Sequence, residues 1–453
     1  MAGKLDLEAL RIAVEVGDID TVVAALPDMQ GRLMGKRFQA EFFLDSAYKE
    51  THGCNYLLAT DMEMETVDGF AATSWAKGYG DYTLKADLST LRRTPWLEGT
   101  ALVLCDVYDH HGHALVEHAP RTMLRRQVER LSAQGLSAVA ASELEFFVFA
   151  DSFEEAAERA HSRLRPISAY NEDYHIFQTT KEEGLMRAIR TGLQGANIPV
   201  ENSKGEAEAG QEEINVRYTD ALTMADRHSI LKNAVKEIAW AQGRAVTFMA
   251  KWSYDHAGSS SHIHMSLRRG AEPLFHDADA PHGMSAEMRA FLAGILAHAD
   301  AITLLLAPSI NSYKRFAEGT FAPTKAVWSR DNRTAGYRIC GEDSANVRIE
   351  CRIGGADLNP YLAYAGLIAA GLDGMARGLT LEEEFRGDAY GGQGREIPKT
   401  LRDAITAFET SEMLQAAFGP EVVAHYAHAA RWEQTEYDRR VTDWELRRGF
   451  ERA

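Results

Sequence analysis

The stretch "SELEFFVF" sets Glu143 and Glu145 two residues apart in a run of β-formers, so both carboxylates project from one face of the predicted strand. Adjacent anions repel, and burying them is costly unless a proton or a divalent cation lies between them; the alternative is a strand face left in water. "NSKGEAEAGQEEINVRY" repeats the theme with Glu206, Glu208, Glu212 and Glu213, broken by Gly205 and Gly210. Taken alone it reads as a solvated acidic turn. In "GSSSHIHMSL", His262 and His264 share one face of a β-like run, and in "NVRIECRIGG" Glu350 shares a face with Arg348 and Arg352. Singly, these are a hydrogen-bonded core pair and a structural ion pair. Together, the four segments point to metal chemistry.

Many carboxylates with one or two imidazoles suit Mg²⁺ or Mn²⁺ better than a structural zinc, which favours a compact Cys/His tetrad. Residues 311–338 then add Lys314, Arg315, Lys325, Arg330, Arg333 and Arg338 against two carboxylates. Guanidinium forks bind phosphate oxygens bidentately, so these cations are expected to face phosphates and carboxylates beside the metal ligands. Phosphoryl transfer from a metal nucleotide is the chemistry this combination implies. Neither GxxxxGK[ST] nor a kinase motif set occurs, so strand-borne side chains must hold the nucleotide. "HHGHALVEH", with His110, His111, His113 and His118, reads either as a separate zinc site or as a polar hairpin tip.

The elements that position these groups follow from periodicity. "DTVVAALPDMQGRLMGKRF", "CNYLLATDMEME" and "TALVLCDVYDHHGHALVEH" read as short β-runs separated by turns, which predicts a small sheet-rich N-terminal domain. From Arg121, "RTMLRRQVERLSAQG" reads as helix, "SAVAASELEFFVFA" as strand and "ALTMADRHSILKNAVKEIAWAQG" as amphipathic helix, the start of a larger domain. "FEEAAERAHSRLRP" reads as a short charged surface helix and "DAYGGQGREIPK" as a flexible loop. "MRAFLAGILAHADAITLLLAPS" is interrupted by Arg289, His298 and Asp300, so it reads as one buried helix rather than a membrane span.

With 453 residues, 45% hydrophobic and 25% charged, the chain can bury one large core or two linked ones. A net charge of -17 argues against nucleic-acid and anionic-membrane partners, which call for broad positive potential. Cys54, Cys105, Cys340 and Cys351 lack CxxC spacing, and no signal-like apolar stretch opens the chain. Free thiols in a reducing cytoplasm are expected.

"ELEFF", "GEAEAGQEEI", "HIHMSL", "NSYKRF…G…AP", "NRTAGYR", "RIECR" and "NPYLAYAGL", in this order, resemble the catalytic domain of the class I glutamine synthetase superfamily. "LPDMQGRLMGKR" is similar to that family's small N-terminal domain. The resemblance implies an α+β fold: a β-grasp domain in residues 1–112, then a catalytic domain in residues 113–453 with a funnel of antiparallel strands. It further implies ATP and two or more Mg²⁺ or Mn²⁺ ions. Glu145, Glu206 and Glu213 match the ligands of one ion, and Glu143, His262 and Glu350 those of another beside the nucleotide phosphates. His264 and Ser266 match residues near ATP, and Arg333, Arg338 and Arg348 the arginines on its phosphates. Arg315 and Arg352 match residues that clasp glutamate, and Gly258 a backbone contact in the same pocket. Arg315 and Arg333 are the catalytic candidates. Family members join glutamate to an amine through γ-glutamyl phosphate, and assemble as stacked rings with active sites shared between subunits. A dodecamer of two hexamers follows by resemblance.

The departures bear on the substrate. Phe321 occupies the position, six residues past Arg315, where glutamine synthetases carry the glutamate that closes the site and helps deprotonate ammonium. The aspartate-bearing ammonium motif has no counterpart around "NYLLATDMEMET", though Asp61, Glu63 or Glu65 could supply a carboxylate, and Ala257 replaces an asparagine beside Gly258. The tyrosine-bearing adenylylation motif expected near residues 380 to 395 is also missing. An aromatic side chain at 321 suits the carbon of an alkylamine better than ammonium. The expected activity is therefore γ-glutamyl ligation to an organic amine such as a monoamine, ethanolamine or a polyamine. Ammonia-dependent glutamine synthesis, a non-catalytic scaffold on the same fold, and an unrelated metal hydrolase using His262 and His264 are the alternatives.

Overall fold

The computed structural model describes residues 3–453. Five strands form the first sheet: β1 (Thr21–Pro27), β2 (Leu33–Gln39), β3 (Thr51–Cys54), β4 (Asp81–Arg93) and β5 (Thr100–Asp109), in the order β2-β1-β5-β4-β3. β1 and β5 run parallel and the other pairs antiparallel. The "LPDMQG" turn between β1 and β2 is closed by Asp28, whose Oδ1 accepts from the backbone N–H of Gln30 and Arg32, and by Gly31 at φ 79°.

The second sheet has ten strands: β6 (Ser137–Phe149), β7 (Val200–Gly205), β8 (Gln211–Val216), β9 (Thr219–Asp220), β10 (Ala245–Thr247), β11 (Ser261–Arg269), β12 (Glu272–Pro273), β13 (Trp328–Arg330), β14 (Tyr337–Cys340) and β15 (Arg348–Cys351). Its main path is β13-β14-β15-β11-β6-β8-β7, antiparallel except between β13 and β14. One face of β6 carries Leu144, Phe146 and Val148 into the core, leaving the opposite face for Glu143 and Glu145.

Helices cover the apolar face. Pro360–Arg377 is buried over nearly its whole circumference; Asn359 caps its start by accepting from the Tyr361 N–H, and Gly378 in the left-handed region ends it. The side-chain amide of Asn359 also donates to the carbonyls of Asp28 and Met29, tying this helix to the turn of the first sheet. A buried ion network joins the two halves again. Arg121 bonds Asp87 of β4, Asp106 of β5 and Asp226 of the helix Ala221–Ala241, and Tyr361 donates to Asp226.

Two local expectations are corrected. "CNYLLATDMEME" is not a β-run: only Thr51–Cys54 is strand, and Asn55–Leu58 is a 3₁₀ turn that buries Leu58 and Ala59. Burial of those two apolar residues outweighs the local strand propensity. The apolar segment after residue 285 is two helices, Ala286–Ala297 and Ala299–Leu306, bent by 78°. The break falls at His298, whose ring bonds Asp373 at 2.6 Å. Among the described residues, no single helix is long and apolar enough to cross a membrane. All four cysteines are free thiols.

Candidate active site

Sheet register assembles the site. On β6, Glu143 stands directly opposite His262 of β11, and Glu145 directly opposite Glu213 of β8. Glu350 of β15 lies opposite both His264 of β11 and Arg338 of β14. Residues far apart in sequence thus meet because directly paired side chains share a face.

Two ligand sets result. Atoms of Glu145, Glu206 and Glu213 converge within 4.8 Å of one another, as do those of Glu143, His262 and Glu350. Within the second set, Glu143 lies 3.2 Å from His262 Nδ1 and 2.8 Å from His264 Nε2, while His262 Nδ1 lies 3.8 Å from Glu350. His262 Nε2 is buried without a partner. The chemistry of both sets fits hard divalent cations: five carboxylates and one imidazole, open to a common cavity. Arg348 Nε–H donates to His264 Nδ1, so His264 carries its proton on Nε2 and donates it to Glu143.

The electrostatics differ between the sets. Burial works to raise the Glu350 carboxyl, but Arg352 and the two histidines outweigh it and hold it down at about 2. Glu143 is likewise pulled well below the usual carboxylate range, against burial, by hydrogen bonds from His262 and His264. Burial and the neighbouring carboxylates instead push Glu145 up to about 7 and Glu213 up to about 9. A divalent cation between them would replace those protons.

The cavity above these strands has a volume of about 560 Å³ and reaches Glu143, Glu145, Glu206, Glu213, His262 and Glu350 together with Gly258, Phe321, Arg333, Arg338 and Arg352. An adjoining cavity of about 410 Å³ holds the other expected nucleotide contacts, His264, Ser266 and Arg348, and shares Glu143, Asn202 and Asn215 with the first. Gly258 has to be glycine. A Cβ there would lie 2.5 Å from the Ala250 carbonyl oxygen and 2.6 Å from Arg315 Cγ.

The basic stretch 311–338 does not act as one reservoir of positive charge. Only Arg333 and Arg338 of its six cations line the cavity. Arg315 is fully buried beneath it and bonds the carbonyls of Ile353 and Arg352 and the Ser260 hydroxyl. Lys325 is bonded to the carbonyls of Ala389 and Tyr390, Arg330 is paired with Glu384, and Lys314 lies over the Tyr437 ring. Burial and local pairing claim these side chains before any ligand does. Asp61 and Glu63 line a different cavity of the same chain. The four histidines of "HHGHALVEH" belong to no convergent ligand set among the described residues; His110 bonds Thr83 and His118 bonds Tyr82.

Phe321 reaches the cavity from a turn in which Gly319 and Phe321 both have positive φ, 75° and 56°. Its side chain is 57% exposed at the lip. Several contributors escaped the sequence reading. Lys204 pairs with Glu206 and carries Tyr174 on its ammonium at 4.4 Å. Gln211 bonds Glu145 and the Gly258 carbonyl, and the Ser260 N–H donates to Glu145 at 2.6 Å. Gln211 sits two residues before Glu213 and Lys204 two before Glu206, so their spacing carried the signal. Cys340, which donates to Glu350 at 3.3 Å, had none.

Residues 117–449 match the family described as glutamine synthetase, catalytic domain. The chain is 49% identical over 455 residues to a gamma-glutamylethanolamide synthetase of Streptomyces coelicolor, covering 99% of this chain and 96% of that one. It is 36% identical to a glutamate–isopropylamine ligase of a Pseudomonas species, over 98% of both chains. A glutamine synthetase of Thermotoga maritima is 30% identical, over 98% of this chain and 99% of its own. Among solved structures, GmaS without ligand superposes with a TM-score of 0.85 at 26% identity, covering 98% of this chain and 99% of that one.

Proposed function

The chain belongs to the glutamine synthetase family, and on that premise we propose that it is an ATP-dependent glutamate–amine ligase whose nitrogen donor is an organic primary amine. The observation that carries this reading is the shared cavity. Two divalent-cation ligand sets face it, and an aromatic ring stands at its lip where the family has an acid. The relatives named for ethanolamide and isopropylamine products support the organic amine.

In the reaction, a γ-carboxylate oxygen of glutamate attacks the γ-phosphorus of ATP and the bond to the ADP oxygen breaks, leaving γ-glutamyl phosphate. The free amine then attacks the acyl carbon, an amide forms, and phosphate leaves with the amine's proton. Mg²⁺ or Mn²⁺ held by Glu145, Glu206 and Glu213 and by Glu143, His262 and Glu350 would neutralise phosphate charge as it redistributes. Arg333, exposed in the cavity wall, is placed to bind anionic oxygens, while Arg338 lines the same cavity but is paired with Glu350 and Asp331. Arg352 is bonded to Glu350 and to the Arg333 carbonyl, so it holds Glu350 while facing the same space. Arg315, one layer deeper, positions Arg352 and Gly258 from below rather than reaching the cavity. Phe321 excludes water from the amine's path and packs against its alkyl carbon; it cannot accept a proton from ammonium.

The remaining organisation follows the family. The division into residues 1–112 and 113–453, a ring-shaped homo-oligomer with the partner's N-terminal part closing each site, and a cytoplasmic location belong to this proposal. Phosphate release measured with ATP, Mg²⁺, glutamate and a panel of ammonium, ethanolamine, isopropylamine and putrescine tests it. At least one organic amine should exceed ammonium. A rate highest with ammonium would overturn the organic-amine assignment, and release independent of glutamate would overturn the ligase.

A further inference from the structure

β8 places Glu213 in the active-site cavity and Glu212 on the opposite face, where it meets two more carboxylates, Glu172 and Glu182. Ligand atoms of these three glutamates lie within 4.8 Å of one another. The residues are 1%, 0% and 4% exposed respectively. Glu172 Oε2, Glu212 Oε1 and both carboxylate oxygens of Glu182 are buried without any hydrogen-bond partner. The cations whose charge reaches the cluster are bonded elsewhere: Lys181 donates to Gln178, and Arg190 to Ser203 and Glu183.

A buried carboxylate without a partner is costly, and three converging ones are more so, because repulsion adds to lost hydration. Their convergence from three separate segments calls for protons shared among the carboxyl groups or for a cation between them, and no described Lys or Arg is bonded to any of the three. We propose that Glu172, Glu182 and Glu212 form a third divalent-cation site, apart from the two sets of the cavity, that takes a hard ion such as Mg²⁺ or Mn²⁺. All-oxygen donors with no thiol or imidazole set that preference.

The site has a defined structural task. Ser168 donates to Glu172 Oε1 at 3.0 Å and accepts from the Gly210 N–H at 2.6 Å, so Glu172 is linked to the turn between Glu206 and Glu213. Gly205 permits the close approach, since a Cβ there would stand 2.5 Å from the Glu172 carbonyl oxygen. Asp173 and Tyr174, next along the chain, line the active-site cavity and contact Lys204. An ion behind β8 therefore fastens the 168–182 segment to the strands that carry Glu206 and Glu213. This role does not rest on the ligase reading.

Equilibrium dialysis of the nucleotide-free full-length chain against Mn²⁺ near neutral pH, with bound metal counted by mass spectrometry, tests the site. Wild type should hold three ions per chain, Glu172→Gln and Glu182→Gln two each, and Glu206→Ala two while keeping the third site. Amide hydrogen exchange in 168–182 should slow on adding Mn²⁺ to wild type and to Glu206→Ala, and not to Glu172→Gln. A wild-type count of two would overturn the proposal whether or not the variants fold, leaving the cluster as protonated acids. An unchanged count and unchanged exchange in both Gln variants would overturn it as well.

Discussion

At the scale of single residues, the proposed preference for an organic amine rests on Phe321, where the family resemblance implies an acid in ammonia-dependent relatives. A carboxylate there attracts and deprotonates ammonium; a phenyl ring offers only an apolar surface and a quadrupole. Phe321→Glu should raise the ratio of ammonium to alkylamine kcat/KM by about tenfold or more, a change of roughly 1.4 kcal/mol in relative transition-state binding. Steady-state phosphate release with each nucleophile measures it, and an unchanged ratio would show that this side chain does not read the amine. The carboxylate and imidazole faces were legible in the sequence because period-two spacing puts Glu143 with Glu145 and His262 with His264 on one face, whereas the two expected ligand sets followed from the family resemblance. The fate of the arginines was not. A guanidinium goes to whichever acceptor folding brings nearest, and for Arg315 and Arg330 those acceptors are Ile353, Arg352 and Glu384, none of them local.

At the scale of elements, the strands of the second sheet work only in one register. A one-residue slip of β11 against β6 would turn His262 and His264 toward the core and Ile263 into the cavity. The helices behind the sheet hold that register by close packing. Gly294 of Ala286–Ala297 meets Gly374 of Pro360–Arg377 so closely that an added Cβ would lie 2.2 Å from the Ala370 carbonyl oxygen and 2.7 Å from Gly374. Gly294→Ala should cost about 2 kcal/mol of stability, since backbone rather than a movable side chain stands in the way. Urea denaturation checks this, and a neutral result would mean that the helices can separate without penalty. The sequence reading took the whole apolar segment as one helix because the bend at His298 depends on Asp373, seventy-five residues away.

At the scale of the whole molecule, the segment that follows the first sheet and the helix Pro420–Asp438 meet through histidines. His118 stacks on His425 with ring centroids 4.2 Å apart, and His425 bonds the Leu58 carbonyl. Burial lowers His118 to about 4, against the opposing charge of Glu117, and holds His425 well below the ordinary imidazole value through burial and His118. Both are neutral in the native protein and charge near 6.5 in the unfolded chain. The stability they contribute is therefore present above pH 6.5 and is lost progressively as the pH falls to about 4, roughly 3 kcal/mol from His118 alone. Thermal unfolding followed from pH 7 to pH 4 should show this loss, and His118→Gln should flatten the profile. A slope identical in wild type and variant would assign the acid sensitivity elsewhere.

By itself the sequence determined which faces carry carboxylates and imidazoles and that the donors suit hard cations. Each of these depends on residue type and on spacing within one strand or turn, and both are local. Only the tertiary structure decided which donors meet, which arginines line the cavity, and that Glu212 turns away from Glu213 to join Glu172 and Glu182. Those outcomes depend on cross-strand register and on competition for buried hydrogen-bond acceptors, which are set by contacts between segments distant in the chain.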